Sequence, residues 1–480
     1  MKFKSTEKKS IKYRRKMDNK IAKIISIILV FAIPFIANGA TLMDIYEDAL
    51  INDPRLKEAY ANKEAIIESK PQARSSLLPQ ISASGTYSDT NTDGSSTFQQ
   101  KIVDPISGDF VVITNTTQFD QEADGLQWDI TLRQNIIDPG AWMMLKKANK
   151  IVAQAEADYL AAEQDLMLRV CSAYFDVLAT QDTLESQQAA RRAIEKQLDQ
   201  AKKRFEVGLI AITDVQEAQA AFDQSVANEI SAKRQLATAK EMLREITDSY
   251  PENLSKPSAD MPLVMPNPQS ENDWVNTALQ QNLNLLSAQV GAEIARSEVN
   301  IQRSGHYPTL GLQASKRDID NNSLRSDSGG PYSPADSESA SDGIGLQLNI
   351  PIYSGGQTSS RVRQAVAQHR SAKEKLERVA RETTRKARDS YLGIISGIAT
   401  VKALEQSVKS STTALQATEA GYEVGTRTTV DVLDARKRLF SAQTNLAISK
   451  YDYLKTMVQL KQAAGTLSKA DLTQINNWLQ

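Results

Sequence analysis

Two stretches of the chain, residues 126–134 and 344–350, alternate strictly between apolar and polar positions. Because successive side chains of a strand point to opposite faces, this period of two predicts strands with one dry face and one wet face. Residues 81–88 and 310–315 show the same alternation more weakly. The pattern therefore predicts four strands per chain, arranged in two pairs.

A long polar segment joins the two strands of each predicted pair, residues 89–118 in the first pair and 316–342 in the second. Both segments are rich in Ser, Asp, Asn, Thr and Gly, a composition typical of solvated loops. We therefore expect loops at these positions. Long polar loops at one end of a strand pair and short connections at the other are typical of outer-membrane barrel strands.

Helical segments of unusual length follow each strand pair. Residues 142–205 contain no proline, and at about 1.5 Å per residue a helix over them would be about 95 Å long. Residues 359–424 are also free of proline, and residues 213–246 and 428–464 are rich in Ala, Gln, Glu, Lys and Leu. Such small-residue faces allow helices to pack closely side by side. The pattern therefore predicts two long helical hairpins.

Shorter helices are predicted before each strand pair. They cover residues 42–52 and 55–77 in the first half of the chain, and residues 271–281 and 283–305 in the second. Between the halves, residues 251–268 contain five prolines and mark a linker.

The two halves of the chain repeat one motif. Residues 205–218 (FEVGLIAITDVQEA) and 422–435 (YEVGTRTTVDVLDA) align without a gap at an offset of 217. Residues 136–140 and 352–356 align at an offset of 216. Such duplication indicates pseudo-symmetry in the folded protein. We therefore divide the chain into a leader, two structural repeats and a C-terminal segment, at residues 1–40, 41–268, 269–464 and 465–480.

The first 40 residues differ from the rest of the chain. Ten Lys and Arg residues lie among the first 23, and an apolar run of about 13 residues follows, against the ~20 that a spanning helix needs. The small residues Ala37, Gly39 and Ala40 come next. This layout predicts a secretory signal peptide cleaved after Gly39 or Ala40. The alternative, a membrane anchor, is disfavoured by Pro34 and the small residues.

Removal of the leader changes the charge. The whole chain has 57 basic and 58 acidic residues. Without residues 1–40 it has 47 basic and 56 acidic residues, a net charge of about −9. A chain this acidic has no general attraction to nucleic acid, so we expect no nucleic-acid partner. A net negative charge is compatible with a channel that conducts cations.

Few residues offer catalytic or metal-binding chemistry. The single cysteine, Cys171, lies in the apolar pattern of a predicted helix, and we expect a packed thiol. The two histidines, His306 and His369, are far apart and lack neighbouring ligands, so we expect no metal site. A nucleotide-binding loop is also missing from the sequence. We therefore expect neither an enzyme nor a bound cofactor.

Four strands are too few to close a barrel. An open sheet edge cannot face lipid, because its backbone groups would stay unsatisfied. Two chains would supply eight strands, whose interior side chains mostly fill, whereas three chains would supply twelve and leave a lumen. A trimer is therefore the smallest assembly that forms a pore. The long helices are too polar to cross a bilayer, and we expect them to continue the tube into the periplasm.

Four segments carry a resemblance to a known family. They are SSLLPQ at 75–80, RFEVGLIAITDVQ at 204–216, LNIPIYSGG at 348–356 and EAGYEVGTRTTVDVLDA at 419–435. The sequence resembles the TolC family of outer-membrane efflux channels from about Thr41 to its C-terminus. The resemblance implies an α+β membrane protein, a homotrimer in which a twelve-stranded β-barrel is continuous with a long α-helical barrel. It also implies an equatorial girdle built from residues 251–268 and 469–479.

The resemblance implies a function as well. Members of this family are exit ducts for tripartite efflux pumps, for type I protein secretion, or for both, in the outer membrane of Gram-negative bacteria. Their partners are a periplasmic adaptor, an inner-membrane transporter and outer-membrane lipid. The alternative is a periplasmic coiled-coil adaptor or scaffold. The alternating strands around Trp128 and Leu346 argue against it, and so does the duplication.

Each copy of the repeated motif contains a glycine, Gly208 or Gly425, which allows a tight reversal between a long helix and its return helix. The resemblance implies that these reversals form the periplasmic mouth of the tunnel, which is also the surface that docks the adaptor. The implied docking residues are Val207, Gly208, Leu209, Val424, Gly425 and Thr426.

The resemblance further implies a lock that holds the second hairpin closed. In it Asp214 pairs with Arg427, Tyr422 bonds to Thr213 or Asp214, and Gln197 bonds to Glu419. A partly exposed ion pair contributes about 0.2–1 kcal/mol. Several such contacts in three copies would bias closure by a few kcal/mol, which an adaptor could reverse.

Asp431 and Asp434 are three residues apart, so their carboxylates share one helix face. Around a threefold axis they would form two stacked rings of three carboxylates. Their mutual repulsion would favour bound cations and make the closed mouth cation-selective.

Overall fold

A computed structural model of the chain describes residues 39–251, 253–258 and 261–479. The predicted leader lies outside these residues, apart from Gly39 and Ala40. The described part of the chain is mostly helical and contains one antiparallel sheet. None of its helices is both long enough and apolar enough to cross a membrane.

The elements follow one another in the order α1 (Leu42–Asn52), α2 (Pro54–Ile67), α3 (Ser69–Ser75), β1 (Gln80–Val103), β2 (Phe110–Ile137), α4 (Pro139–Glu206), α5 (Ile212–Thr247), α6 (Glu271–Gln281), α7 (Leu283–Ser304), β3 (Thr309–Asp327), β4 (Ser333–Pro334), β5 (Ser337–Asn349), α8 (Gln357–Glu423), α9 (Thr429–Ala463) and α10 (Lys469–Asn476). We call α4 with α5 the first hairpin, and α8 with α9 the second hairpin.

The long helices lie where the proline-free segments predict them, but one shorter helix does not. The single helix predicted over residues 55–77 is two helices, α2 and α3, with a break at Glu68. Pro71 lies in the first turn of α3 and has no N–H to donate to the carbonyl of Ile67. Its ring also crowds that carbonyl, so a continuous helix is disfavoured at this point.

The four predicted strands are present, and they pair in the order β1–β2–β3–β5. All neighbours are antiparallel, and a bulge interrupts the β2–β3 register between Asn135 and Ile137. The two-residue strand β4, which the sequence does not predict, pairs with β3 at Leu324 and Arg325.

The polar segment at residues 89–118, predicted as a loop, is mostly strand, so this prediction is wrong. β1 and β2 pair without interruption up to Val103↔Phe110, which leaves only residues 104–109 as a turn. In this turn the Asp104 carboxylate accepts hydrogen bonds from the Ile106 N–H at 2.9 Å and the Ser107 hydroxyl at 3.1 Å.

The second segment predicted as a loop, residues 316–342, is also largely strand. β3 extends to Asp327, and β5 begins at Ser337. Both faces of these strand extensions carry mostly polar side chains, so the period of two that reveals a strand is missing. The backbone ladder forms without it, because its hydrogen bonds do not depend on an apolar face.

The chain divides into two compact units, and each takes segments from both halves of the sequence. The first unit comprises the described residues up to Pro54 together with residues 164–274 and 388–479. The second comprises residues 55–163 and 275–387 and contains the whole sheet.

Aromatic side chains form the core of the first unit. The rings of Tyr174 and Phe175 meet edge to face at 5.4 Å between centroids, and Phe175 stacks on Tyr451 at 5.8 Å. Burying one such ring contributes roughly 1.5–3 kcal/mol. Cys171, also on α4, is fully buried, which confirms the predicted packed thiol, and burial raises the pKa of that thiol.

The proline-rich linker is held against this core by side chains of the hairpins. The Tyr174 hydroxyl donates to the Ser255 carbonyl at 2.7 Å, and the Tyr453 hydroxyl donates to the Val264 carbonyl at 2.9 Å. Lys256 forms an ion pair with Asp182 at 2.7 Å. These contacts attach the linker to the first and the second hairpin.

The N-terminal end of the described chain contacts both the linker and the C-terminal end, all within the first unit. Ala40 forms a β-bridge with Leu254 in the linker. Helix α10 contacts α1: the Asn476 side-chain carbonyl accepts a hydrogen bond from the Met43 N–H at 3.2 Å, and Lys469 pairs with Glu47 at 3.0 Å.

Candidate functional site

The turns of the two hairpins share one backbone geometry. Gly208 and Gly425 have positive φ angles of 74° and 85°. In the first turn the Leu209 N–H donates to the Arg204 carbonyl and the Gly208 N–H donates to the Phe205 carbonyl, both at 2.8 Å. The second turn has the same two bonds at equivalent positions. This Schellman pattern requires a left-handed residue and therefore favours glycine. The tight reversal predicted at both glycines is present.

An aspartate caps the helix that leaves each turn. The Asp214 carboxylate accepts from the Ala211 N–H at 3.2 Å at the start of α5. The Asp431 carboxylate accepts from the Thr428 N–H and hydroxyl, both at 2.9 Å, at the start of α9. These bonds to Thr428 lower the pKa of Asp431. The duplicated aspartate of the motif therefore has a structural role in both hairpins.

Apolar side chains close the first hairpin behind its turn. Leu198 and Ala201 of α4 pack against Val215 and Ala218 of α5, and all four are buried. Ile210 and Phe222 cover this cluster.

The second hairpin buries Val432 and Ala435 of α9 at the equivalent level and adds polar contacts. Arg436 of α9 donates to Glu419 of α8, with Nη2 at 2.7 Å and Nε at 3.0 Å from Oε1. Nearer the turn, the buried Thr429 hydroxyl lies 3.4 Å from the hydroxyl of Tyr422, which is also buried.

A series of polar contacts joins the second hairpin to α4 of the first. The contacts that lie far from the turns pair Lys455 with Asp176, Tyr451 with Asp182 and Thr444 with Ser186, at 2.8, 2.6 and 3.1 Å. Burial of Tyr451 and its bond to Asp182 raise the pKa of the phenol. Desolvation acts to lower the pKa of Lys455, but its bonds to Asp176 and Asp452 outweigh this effect and raise that pKa.

Two further contacts join the hairpins close to the turns. Arg436 Nη1 donates to the Ala193 carbonyl at 2.9 Å. The Arg204 guanidinium carbon lies 4.3 Å from the centroid of the Tyr422 ring, a cation–π contact. Both contacts join α4 to the second hairpin within one chain.

The structure gives the predicted lock residues other partners within one chain. Glu419 is bound by Arg436, and Tyr422 is contacted by Thr429 and Arg204. The side chain of Gln197 is only 2% exposed, and its amide nitrogen has no hydrogen-bond partner among the described residues.

The remaining lock residues lie at the turns. Thr213 and Arg427 are exposed, and one Asp214 oxygen is used to cap α5. Within the described part of one chain, none of the three predicted lock contacts is formed. A lock between the hairpins of neighbouring copies therefore stays a prediction.

The predicted docking residues are all exposed at the two turns. The largest apolar side chains among them are Val207, Leu209 and Val424, which are 70%, 72% and 75% exposed. In the predicted constriction, Asp434 is exposed, and Asp431 uses one carboxylate oxygen for capping.

Sequence reasoning missed the contacts of Arg436 and Arg204. Glu419 and Arg436 are 17 residues apart on different helices, so no helical spacing links them. Arg204 lies 218 positions before Tyr422, and no short motif contains both residues. The capping role of Asp431 had a visible signal, because a threonine three residues before an acidic residue is the signature of a capping box.

Comparison with known proteins agrees with this architecture. A family model described as "Outer membrane efflux protein" matches residues 45–248 and 274–466. The outer membrane protein TolC of Vibrio cholerae is 37% identical over 441 residues, 92% of this chain and 94% of the relative. The alkaline protease secretion protein AprF of Pseudomonas aeruginosa is 31% identical over 438 residues, 90% of this chain and 85% of the relative.

Solved structures share the fold. The crystal structure of the outer membrane protein VceC from Vibrio cholerae matches with a TM-score of 0.67 at 18% identity, over 88% of this chain and 96% of that chain. These findings confirm the resemblance carried by the sequence motifs and the location in the outer membrane of a Gram-negative bacterium. They give no support to the alternative of a periplasmic adaptor. The chain belongs to the outer membrane efflux protein family, a family of channels rather than enzymes.

Proposed function

We propose that the chain forms a homotrimeric exit duct in the outer membrane, which releases the cargo of tripartite efflux pumps, type I protein secretion systems or both. Three copies contribute four long strands each to a twelve-stranded barrel, and their hairpins form an α-helical tunnel. The turns at residues 207–209 and 424–426 form the periplasmic mouth. They dock a periplasmic adaptor that works with an inner-membrane transporter.

The observation that carries this proposal is the pair of open sheet edges. Within the described residues, β1 pairs only with β2, and β5 pairs only with β3. Apolar side chains on these outer strands are exposed, among them Ile81 and Leu346. An edge with unsatisfied backbone groups cannot face lipid. Pairing β1 of one copy with β5 of the next satisfies both edges.

The number of copies follows from the lumen that a duct requires. A barrel of eight strands is mostly filled by its own side chains, whereas twelve strands leave an open interior. Three copies of this sheet are therefore the smallest closed assembly that conducts.

The names of the relatives support both kinds of cargo. The description of the family model names efflux, and AprF is named for secretion of an alkaline protease. Since the names of the related proteins cover both efflux and secretion, we expect the duct to serve one or both kinds of export.

We place the gate at the turns of the second hairpin. In the closed trimer, Asp214 pairs with Arg427, Tyr422 bonds to Thr213 or Asp214, and Gln197 bonds to Glu419. The exposed Arg427 side chain supports this assignment, because it is available to neighbouring copies. The buried Gln197 amide supports it differently, because it has no hydrogen-bond partner among the described residues and a bond to Glu419 would supply one. Two rings of Asp431 and Asp434 then make the closed mouth cation-selective.

Single-channel recording in planar bilayers tests the duct, the lock and the rings together. The comparison is between wild type, Tyr422→Phe combined with Arg427→Ser, and the control Arg192→Ser at an exposed position of α4. We expect a low cation-selective conductance that rises severalfold in the double variant and stays unchanged in the control.

Each other outcome removes a separate part of the proposal. Equal permeability to cations and anions would contradict the carboxylate rings. A channel that the double variant leaves unchanged would contradict the lock. No conductance from folded, membrane-inserted protein would contradict the duct itself.

A further inference from the structure

A single guanidinium joins three helices near the mouth of the proposed duct. Arg436 lies on α9, two of its nitrogens donate to Glu419 on α8, and its third donates to the Ala193 carbonyl on α4. We call this set of contacts the Arg436 bridge. It ties the two helices of the second hairpin to each other and ties both to the first hairpin.

The geometry of the bridge depends on arginine. Its planar fork presents donors in several fixed directions, so one side chain satisfies a carboxylate and a carbonyl at the same time. A lysine at this position has one compact ammonium and keeps the ion pair more readily than the second contact. Both partners of the ion pair are partly shielded from water, with side-chain exposures of 21% for Arg436 and 37% for Glu419.

The acceptor on α4 is a main-chain group of a long helix. The Ala193 carbonyl lies well inside α4, so its position is set by the helix and not by a mobile side chain. A hydrogen bond from a charged donor to such an acceptor is stronger than a neutral one. The Arg436 bridge therefore fixes the position of the second hairpin relative to a rigid point of the first hairpin.

The bridge is present in only one copy of the duplicated motif. The positions in the first hairpin that correspond to Glu419 and Arg436 are Lys202 and Gln219. Gln219 instead donates to Asp223 of its own helix at 3.0 Å. The apolar cluster around Leu198 closes the first hairpin at this level. The bridge is thus a property of the second hairpin and not of the repeat.

We propose that Arg436 is a positioning residue that holds the second hairpin against α4 of the same chain and so sets the resting position of the turn at residues 424–428. This inference rests on the proposed function as a gated duct. It differs from the lock at the turns, because every partner of Arg436 belongs to its own chain. Opening the mouth by moving the second hairpin away from the first then requires that the bond to Ala193 breaks.

Four variants of the full-length chain test this proposal. Arg436→Ala removes the bridge, and Arg436→Lys keeps a charge that can pair with Glu419. Glu419→Gln removes the ion pair but leaves the Ala193 contact available. Arg438→Ala is the matched control, because Arg438 is an exposed arginine of the same helix without a polar partner among the described residues.

Hydrogen exchange of the solubilised protein is the first measurement. We expect amides of residues 419–429 to exchange about 1.5- to 5-fold faster in Arg436→Ala than in Arg438→Ala, the range for loss of a partly exposed charged contact. Arg436→Lys and Glu419→Gln should lie between them. The second measurement is open probability in planar bilayers, which should rise in the same order.

The outcomes separate the bridge from the duct. Equal exchange in Arg436→Ala and Arg438→Ala would overturn the bridge, whatever the bilayer recordings show. Faster exchange without conductance in any variant, wild type included, would support the bridge and contradict the proposed function. Rescue by Arg436→Lys to the wild-type level would show that the ion pair alone suffices and would overturn the role of the Ala193 contact.

Discussion

The turns of the two hairpins have the same backbone and different interiors. Both end a long helix in a Schellman turn at glycine and start the return helix with a capping aspartate. Behind the first turn, the cluster around Leu198 and Val215 is apolar. Behind the second, the buried Val432 and Ala435 are accompanied by two polar pairs, Arg436 with Glu419 and Tyr422 with Thr429. The shared glycine and aspartate of the motif therefore fix the turn, while residues that differ between the two hairpins decide how each hairpin is held.

The additional polar pairs affect the free energy needed to displace the second hairpin. Apolar burial is non-directional and is lost only when the surfaces separate and take up water. Polar bonds are directional, and water or the groups of another protein can replace them at little net cost. Under the proposed function, we therefore expect an adaptor to displace the second hairpin more readily than the first.

The largest effect is expected at the apolar cluster of the first hairpin. Leu198→Ala removes a buried side chain, and we expect a loss of about 2–5 kcal/mol in the free energy of local opening. The matched change is Leu415→Ala at the corresponding position of the second hairpin, where the leucine is only partly buried. Amide hydrogen exchange of residues 207–215 and 424–432 measures the free energy of local opening in the two hairpins. Equal losses in both hairpins would contradict the difference between their interiors.

A smaller effect is expected at the contact that joins the hairpins beside the turns. Arg204→Ala removes the cation–π contact with Tyr422, which contributes about 0.5–1 kcal/mol at a partly exposed site. Amide hydrogen exchange of residues 419–429 should become faster, and the exchange rates of residues 207–215 should change less. Arg192→Ala, at an exposed position of the same helix, is the control. A change confined to the first turn would show that Arg204 does not support the second hairpin.

The smallest effect is expected from acid at the start of α9. Because bonds from Thr428 lower the pKa of Asp431 in the folded chain, its capping contribution is fully present above the unfolded pKa of about 3.9. The contribution is lost as the pH falls through the lower folded value. We expect amides of residues 428–432 to lose protection below about pH 4, after correction for intrinsic exchange. Asp431→Asn should abolish this pH dependence, and its persistence in that variant would assign it to another group.

Sequence patterns predicted the elements that have a periodic or local signal. The long helices, the apolar parts of the strands and the glycine turns all follow from residue spacing within one element. The strand extensions beyond Ser88 and Ser315 were not predicted, because polar residues on both faces remove the alternation of apolar and polar positions. The Arg436 bridge was not predicted either, because its three residues lie on three different helices. Contacts set by packing between distant segments leave no mark in local spacing.

The meeting of the two chain ends has a consequence for biogenesis. Met43 and Asn476 are 433 positions apart, yet their hydrogen bond helps to hold α1 to α10. A chain synthesised from its N-terminus delivers α10 last, so α1 cannot contact α10 until nearly the whole polypeptide has been made. Contacts of such sequence separation form slowly. Completion of the first unit is therefore a late step of folding, and the apolar surfaces that α10 covers on α1 stay exposed until then.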